Sequence, residues 1–432
     1  MRLPEPFALA LLLTLVAFAI ALVVGEASAG ELVDAWAAGG AGFWSYLGFA
    51  MQMCLILVTG FAVAATRPVQ LAIEALARLP RGPGEAAALV AFVSMALALV
   101  HWGLGIVAGA LLARDVGLAM HREGRPVHYP LLGAAGYTGM CVWHAGLSGS
   151  APLKVTKEAD RIDVLGAELA QRVGELPLTE TVLSPYNLVV VAILLVVVPA
   201  TCAAMVPRDP AAFVAPPPGA APAPANVDVL TPLDRGPWLV LPVVGLMAWW
   251  VIRWASSGGI SRMGPNELNF VFLAVGLALL GSPAAYQRAA SDAARATAGI
   301  LVQFPFYAGI RGLLVAGGVV ALFAAALPEH PTLLRLSMFL SAGLANVFIP
   351  SGGGQWGVQG PILMQAAVDA GIPPARAVLA FAYGDQWTNL VQPFWALPLL
   401  GITGSRAGDI LGYTTALAGV TGVVFAVAVL VG

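Results

Sequence analysis

The chain is poor in charge. Of its 432 residues only 10% are Asp, Glu, Lys or Arg, against 59% that are hydrophobic, and its mean hydropathy is +0.85. That is under half the charge of a soluble domain, so water is excluded as the main solvent. The formal net charge is -2, with no basic face and no acidic tail, which excludes nucleic acid as a partner. Cysteine is scarce. Cys54, Cys141 and Cys202 stand singly in apolar runs, an odd set without metal-ligand spacing, and they read as packing residues rather than a disulfide framework or a metal centre. Also missing are G-x-S-x-G, H-E-x-x-H and a phosphate-binding loop, and the few His and acidic residues fall mostly in polar loops. No enzyme is expected, and no cofactor beyond a coupling Na⁺ or H⁺.

Long apolar runs are what the chain does have. Those at about 7–25, 43–66, 184–206, 237–255, 267–281, 297–311 and 409–431 are long enough, or nearly so, to cross about 30 Å of hydrocarbon as helices. The first run follows Arg2 and could pass for a signal peptide, but in so apolar a chain it reads more simply as the first span. Four other stretches are apolar but interrupted. Residues 86–118 and 334–370 break at His101–Gly105 and at Ile349–Gly354, and these two read as re-entrant hairpins. Residues 129–152 and 374–402 break at His144–Gly149 and at Gln392–Pro393, and these read as broken helices. Interrupted backbone is tolerated at membrane depth only where protein encloses it or where it lines a cavity.

The interruptions come in pairs. Ala134-Ala135-Gly136-Tyr137 and Ala380-Phe381-Ala382-Tyr383 lie 246 positions apart (134 to 380), as do Pro152 and Pro398. Gln52 answers Gln303 at a similar offset. The expected fold is therefore an all-α polytopic membrane protein of two repeats. Residues 1–206 form the first repeat, 207–236 a Pro/Ala-rich cytoplasmic linker, 237–255 a connecting span and 256–432 the second repeat. Counting hairpins as entering and leaving on one side gives about nine crossings and an odd number before the second repeat, which inverts it. Arg67, Arg78, Arg81, Arg114, Arg122, Arg125, Arg208, Arg235, Arg288, Arg295 and Arg406 then lie inside, with a cytoplasmic N-terminus. Residues 153–183 would lie outside as a short amphipathic surface helix.

A helix N-terminus at the membrane midplane offers unpaired N–H groups and about half a positive charge. The predicted interior has no basic residue except Arg311, placed at a span end, so an anion would rest on backbone amides and neutral donors. Candidate substrate-binding residues are Asn346, Ser351, Gly352, Gly353, Gly354, Gln355 and Trp356 on one side and His101, Ser148 and Ser150 on the other, with Gln303 added from the repeat match. The consecutive glycines suggest a nest of N–H groups. Close helix packing is the competing reading for any single membrane Gly. Asp385 is the most informative residue, because a carboxylate inside a span costs about 2.5 to 3.5 kcal/mol to insert; with Asn389 it is the candidate for ion coupling. His144 also sits at a break, where hydrogen-bonded packing is the default for a lone His.

At these same residues the chain resembles the short-chain fatty acid transporter family of bacterial inner membranes, which includes acetoacetate and butyrate carriers. The resemblance is carried by Gly42-Phe43-Trp44 with Met51-Gln52-Met53, by the string from Ala298 to Ile310, by Pro350-Ser351-Gly352-Gly353-Gly354 and by the string from Gln392 to Pro398. It implies a secondary transporter for a small monocarboxylate, embedded in a lipid bilayer, often dimeric. Other small organic anions such as a dicarboxylate, or passive anion conduction, are the alternatives. Gln355 stands where the family pattern has His, Asp385 where it has Glu, His101 where it has Asn, and Trp143-His144-Ala145 where it has a Gly-rich run.

Overall fold

A computed structural model describes residues 6–37, 42–217, 231–259, 263, 265–319, 322, 326–392 and 394–432. Among these residues all regular structure is helical. This follows from the solvent, since in hydrocarbon only a helix or a closed barrel satisfies the backbone's own polar groups. Pro opens many of the helices, including those at Pro83, Pro185, Pro265, Pro283, Pro331 and Pro374, where its missing N–H would have had no intrahelical partner anyway.

Five helices among the described residues are long and apolar enough to cross a membrane: Pro83–Val100, Trp102–Arg122, Pro185–Ala204, Thr297–Ala316 and Ala407–Val431. A sixth appears if the pair Ala50–Ala64 and Arg67–Ala77, bent by 70°, counts as one span. Several helices expose apolar side chains outward, as Leu15, Val196, Leu246 and Val423 do. Such surface is what lipid covers in a multi-pass membrane protein.

Several expected boundaries are corrected. The run at 297–311 is part of one 34-residue helix, Pro283–Ala316; its polar first half continues the helix beyond the apolar window that hydropathy detects. Arg311 therefore lies inside this helix and not at a span end. The 43–66 run is the helix Leu47–Ala64, and it is followed by a second helix, Arg67–Ala77, absent from the sequence reading. The surface segment is two short helices, Glu158–Leu165 and Ala167–Val173, because Gly166 at φ +79° turns the chain between them. Ion pairs Lys157–Glu267 (2.7 Å) and Arg172–Asp369 (2.7 Å) fasten this segment to the second half of the chain. Residues 218–230 of the Pro/Ala linker and Pro393 lie outside the described residues.

Both predicted hairpins fold back on themselves. In the first, Pro83–Val100 and Trp102–Arg122 meet at His101, and a Cβ on Gly105 would lie 2.5 Å from that of Ala98. Each limb also meets the length for a full crossing. In the second, Pro331–Phe348 and Gly352–Asp369 meet at Ile349–Ser351, and Gln355 Nε2 donates to the Ala342 carbonyl (2.7 Å) across the turn. The first broken stretch runs from the helix Tyr129–Tyr137 through two short 3₁₀ turns to Ser150–Lys154. The second is the helix Pro374–Asn389, then a break, then Leu397–Thr403. Pro374–Asn389 packs so closely on Pro331–Phe348 that a Cβ at Gly384 would stand 2.1 Å from the Phe339 carbonyl oxygen. Only Gly fits there.

The two broken stretches are bonded to each other through the tyrosines that share the 246-residue offset. Tyr137 donates its hydroxyl to the carbonyls of Asn389 (2.9 Å) and Gln392 (3.0 Å) at the break, where Asn389 also accepts from the Gln392 N–H (3.1 Å). Tyr383 donates to Asn187 Oδ1 (2.9 Å), and Asn187 Nδ2 donates in turn to the Ala145 carbonyl (2.9 Å) at the other break. The first half thus donates to backbone oxygens at the second half's break, and the second half holds the Asn187 amide that donates to a backbone oxygen at the first half's break, as burial in protein requires.

Candidate substrate and ion site

The helix Gly352–Asp369 begins inside the protein. Ser351 is its N-cap, its Oγ accepting from the Gly354 N–H (3.1 Å), and the Gln355 N–H donates to the Ser351 carbonyl (2.7 Å). The N–H groups of Gly352 and Gly353 remain without acceptors inside the helix, as the first turn dictates. The glycines do not form the nest expected from their run. None of 352–354 has positive φ; they form an ordinary first helical turn. Their role is close approach: a Cβ on Gly352 would lie 2.7 Å from His144 Cε1 and 2.8 Å from Trp143 Cη2, and one on Gly354 would lie 2.7 Å from Tyr46 Cε2.

A narrow cavity opens in front of this helix start, lined by Trp102, Trp143, Trp395, Ser150, Ser351 and Gly352 among others. Trp102 holds its neighbours edge-on, with ring centroids 6.3 Å from Trp143 and 5.2 Å from Trp395. One wall therefore comes from the first half and the other from the second.

The remaining predicted residues make contacts of their own outside this lining. Ser148 Oγ accepts from the Trp102 N–H (2.9 Å), a cap for the second limb of the first hairpin. His101 is that limb's N-cap, its Nδ1 accepting from the Leu104 N–H, and its ring lies on Phe272 (centroids 4.0 Å). Gln303 accepts from the Tyr307 hydroxyl (3.2 Å), one turn along its own helix. Trp356 is fully buried against Phe381 (centroids 4.9 Å). Asn346 turns away from the cavity to donate to the Asp385 carbonyl (3.0 Å), Thr388 Oγ1 (2.9 Å) and Asn389 Oδ1 (3.2 Å).

Asp385 is fully buried, and Asn389 does not bond its carboxylate. Its Oδ2 lies 2.5 Å from His144 Nδ1. His144 is held from three directions. Its Nε2 accepts from the Ala151 N–H (2.9 Å), its ring stacks on Trp143 (centroids 4.5 Å), and the backbone N–H groups of His144 and Ala145 both donate to Gln386 Oε1 (3.0 Å each). Since Nε2 accepts, Nδ1 carries the hydrogen of the neutral ring and donates it to Asp385. The helix start at Gly352, the imidazole and the carboxylate are thus one contiguous cluster.

Sequence reasoning kept His144 as a candidate at a break, with packing as its default role and no partner assigned, and did not single out Gln386. Only a match between breaks 241 and 242 positions apart would have paired His144 with Asp385 and with Gln386. It also put Arg311 at a span end, whereas this residue stacks on the Tyr46 ring (5.6 Å), while the Tyr46 hydroxyl donates to the Gly354 carbonyl (2.7 Å). A guanidinium therefore stands one aromatic ring away from the helix start.

Residues 1–214 and 234–431 match the family described as short chain fatty acid transporter. The chain belongs to that family. A protein of Escherichia coli (strain K12) named "Putative short-chain fatty acid transporter" is 36% identical over 450 residues, covering 98% of this chain and 95% of its own. One of the same name from Haemophilus influenzae (strain ATCC 51907 / DSM 11121 / KW20 / Rd) is 33% identical over 421 residues, with 95% and 92% covered. The family is one of transporters and not of enzymes. In fold the chain is similar to the Alcanivorax borkumensis YdaH transporter, with a TM-score of 0.51 and 19% identity over 99% of this chain and 98% of that one.

Proposed function

We propose that the protein is a secondary active transporter of short monocarboxylates in a bacterial inner membrane, driven by a Na⁺ or H⁺ gradient acting through Asp385. The observation that carries the reading is the helix Gly352–Asp369, which starts inside the protein with its N-cap Ser351 and first residue Gly352 lining an aromatic cavity built from both halves. A carboxylate at that start receives backbone hydrogen bonds and the positive end of the helix dipole without a buried lysine or arginine beside it. Ser150 and Ser351 supply neutral hydroxyls, and the three tryptophans receive the hydrocarbon tail. Arg311 adds positive potential from behind Tyr46.

Nine crossings, two inverted repeats and a cytoplasmic N-terminus are the topology that goes with this reading. The crossed hydrogen bonds of Tyr137 and Tyr383 support it, and a homodimer is its assembly. The test is uptake of labelled acetate, butyrate, hexanoate and succinate into proteoliposomes. Each CH₂ buried adds about 0.8 kcal/mol, so two carbons change affinity by roughly fifteenfold until the cavity is full. A preference for succinate would overturn the monocarboxylate reading, and currents far above carrier turnover would make the protein a channel.

A further inference from the structure

We infer that the coupling ion is a proton, carried by His144 and Asp385 as a pair, with Oδ1 of Asp385 the atom that receives it. This rests on the monocarboxylate reading above and specifies its coupling step.

The hydrogen bonds leave one place for the proton. His144 cannot take it at Nε2, because the Ala151 N–H already points at that lone pair. Nδ1 already bears the hydrogen directed at Asp385 Oδ2. Oδ1 of Asp385 is buried and unpartnered. When Oδ1 is protonated the Nδ1–H···Oδ2 contact is kept, and the new O–H needs an acceptor. Two buried oxygens on the adjoining second hairpin, Asn346 Oδ1 and Gln355 Oε1, have no donor, and Asn346 is already bonded through its amide nitrogen to the Asp385 backbone. Binding transfers one H⁺ from water to Oδ1; release returns it.

The same geometry leaves a metal cation few ligands at this carboxylate, since of the oxygens named only Asp385 Oδ1, Asn346 Oδ1 and Gln355 Oε1 lack a donor. A hard cation needs several oxygens turned toward it. Here Oδ2 faces an N–H, while the Asp385 carbonyl and Asn389 Oδ1 both accept from Asn346 Nδ2. Those oxygens face hydrogens already in place.

No basic side chain among the described residues offsets the ionised carboxylate. On the elements packed around it, Arg335 donates to the Leu430 carbonyl and Arg376 covers the Tyr186 ring (3.6 Å). Lys154 pairs with Asp160 (3.3 Å), Asp369 pairs with Arg172, and Arg311 stacks on Tyr46. His101 packs on Phe272, the Tyr137 hydroxyl is on backbone carbonyls and the Tyr383 hydroxyl on Asn187; Cys141 is buried nearby in sequence to the break. An ionised Asp385 would thus put an uncompensated negative charge beside an anion at the Gly352 helix start. Protonation removes that repulsion, so proton and monocarboxylate favour each other's binding, and by linkage the effect is mutual. The co-transported pair is electrically neutral.

The experiment uses the full-length protein in sodium-free proteoliposomes with labelled butyrate, protein-free vesicles being subtracted for permeation of the neutral acid. An inward proton gradient is expected to drive accumulation, and apparent affinity to fall about tenfold per pH unit once Asp385 is ionised. Asp385→Asn is expected to exchange butyrate across the membrane but neither accumulate it nor respond to pH, whereas Asp385→Glu keeps coupling. His144→Asn should retain exchange with a displaced pH profile. Accumulation that follows a Na⁺ gradient and ignores pH overturns the proton, while leaving the monocarboxylate reading standing. Equal accumulation by wild type and Asp385→Asn overturns it as well. If no monocarboxylate exchanges at all, the reading above fails by itself. The pair is then judged by infrared spectroscopy without substrate: a protonated-carboxyl band that titrates with pH, is shifted in His144→Asn and is missing in Asp385→Asn supports it, and its absence from the wild type refutes it.

Discussion

Gly352→Ala tests the central junction with a single methyl group. The new Cβ would stand 2.7 Å from His144 Cε1, 3.1 Å from His144 Nδ1 and 2.8 Å from Trp143 Cη2. A flexible neighbour would simply move aside. These two rings cannot, because they stack on each other and His144 is fixed by Ala151, by Asp385 and through its backbone by Gln386. Overpacking of this kind costs about 1 to 3 kcal/mol, and Ala regains up to about 1 kcal/mol by helix propensity. A net loss of up to about 2 kcal/mol is expected, with His144 displaced from Asp385. Gly357→Ala is the control on the same helix. Its Cβ would meet nothing nearer than the Tyr46 hydroxyl at 3.9 Å, so propensity alone should leave it neutral or up to about 1 kcal/mol more stable. Thermal melting in detergent and butyrate exchange in proteoliposomes are the assays. If Gly352→Ala melts and exchanges like Gly357→Ala, the contact between the helix start and His144 is not what holds the two halves in register.

Ser351→Ala removes the cap of the same helix and should destabilise by about 1 kcal/mol, with weaker butyrate binding read from exchange at low substrate. Tyr137→Phe removes the donor that the first half offers to the Asn389 and Gln392 carbonyls, leaving Asn389 only the Gln392 N–H, and should cost about 1 to 3 kcal/mol, seen as a lower melting temperature. Arg311→Gln is expected to raise the apparent KM for butyrate without lowering the melting temperature, since it alters the field at the helix start and touches no backbone group there. On the surface, Gln365 and Arg172 hold the Asp369 carboxyl below the usual carboxylate range. The depressed value means that its contribution is present above the unfolded pKa and is lost as pH falls through the folded one. A cysteine crosslink between positions 172 and 369 should therefore be insensitive to acid, whereas protease access to Ala167–Val173 in the wild type should rise only in strong acid.

Much of this architecture could be read from one strand of letters because hydrocarbon imposes so narrow a choice on a backbone. Little charge and long apolar runs required buried helices, and Gly and Pro clusters inside those runs marked where helices stop at depth. The hairpin turns at His101 and Ile349–Ser351 and the start of a helix at Gly352 were legible for that reason. Helix ends were legible less well: polar turns extend Pro283–Ala316 beyond the apolar window and carry Arg311 inward, because hydrogen bonding along a helix does not stop where hydropathy does.

What the letters by themselves determined is the solvent of this protein, its helical class and the places where its backbone must be enclosed, since each of these depends on local composition. Which enclosed groups meet was decided by tertiary packing alone. Asp385 announced itself by its cost, but its partner did not, because a hydrogen bond spanning 241 positions depends on how two interrupted helices are pressed together. The same packing turned Asn346 from the cavity to the back of Asp385, brought Arg311 to Tyr46, and made Gly352 a point of contact rather than a flexible loop.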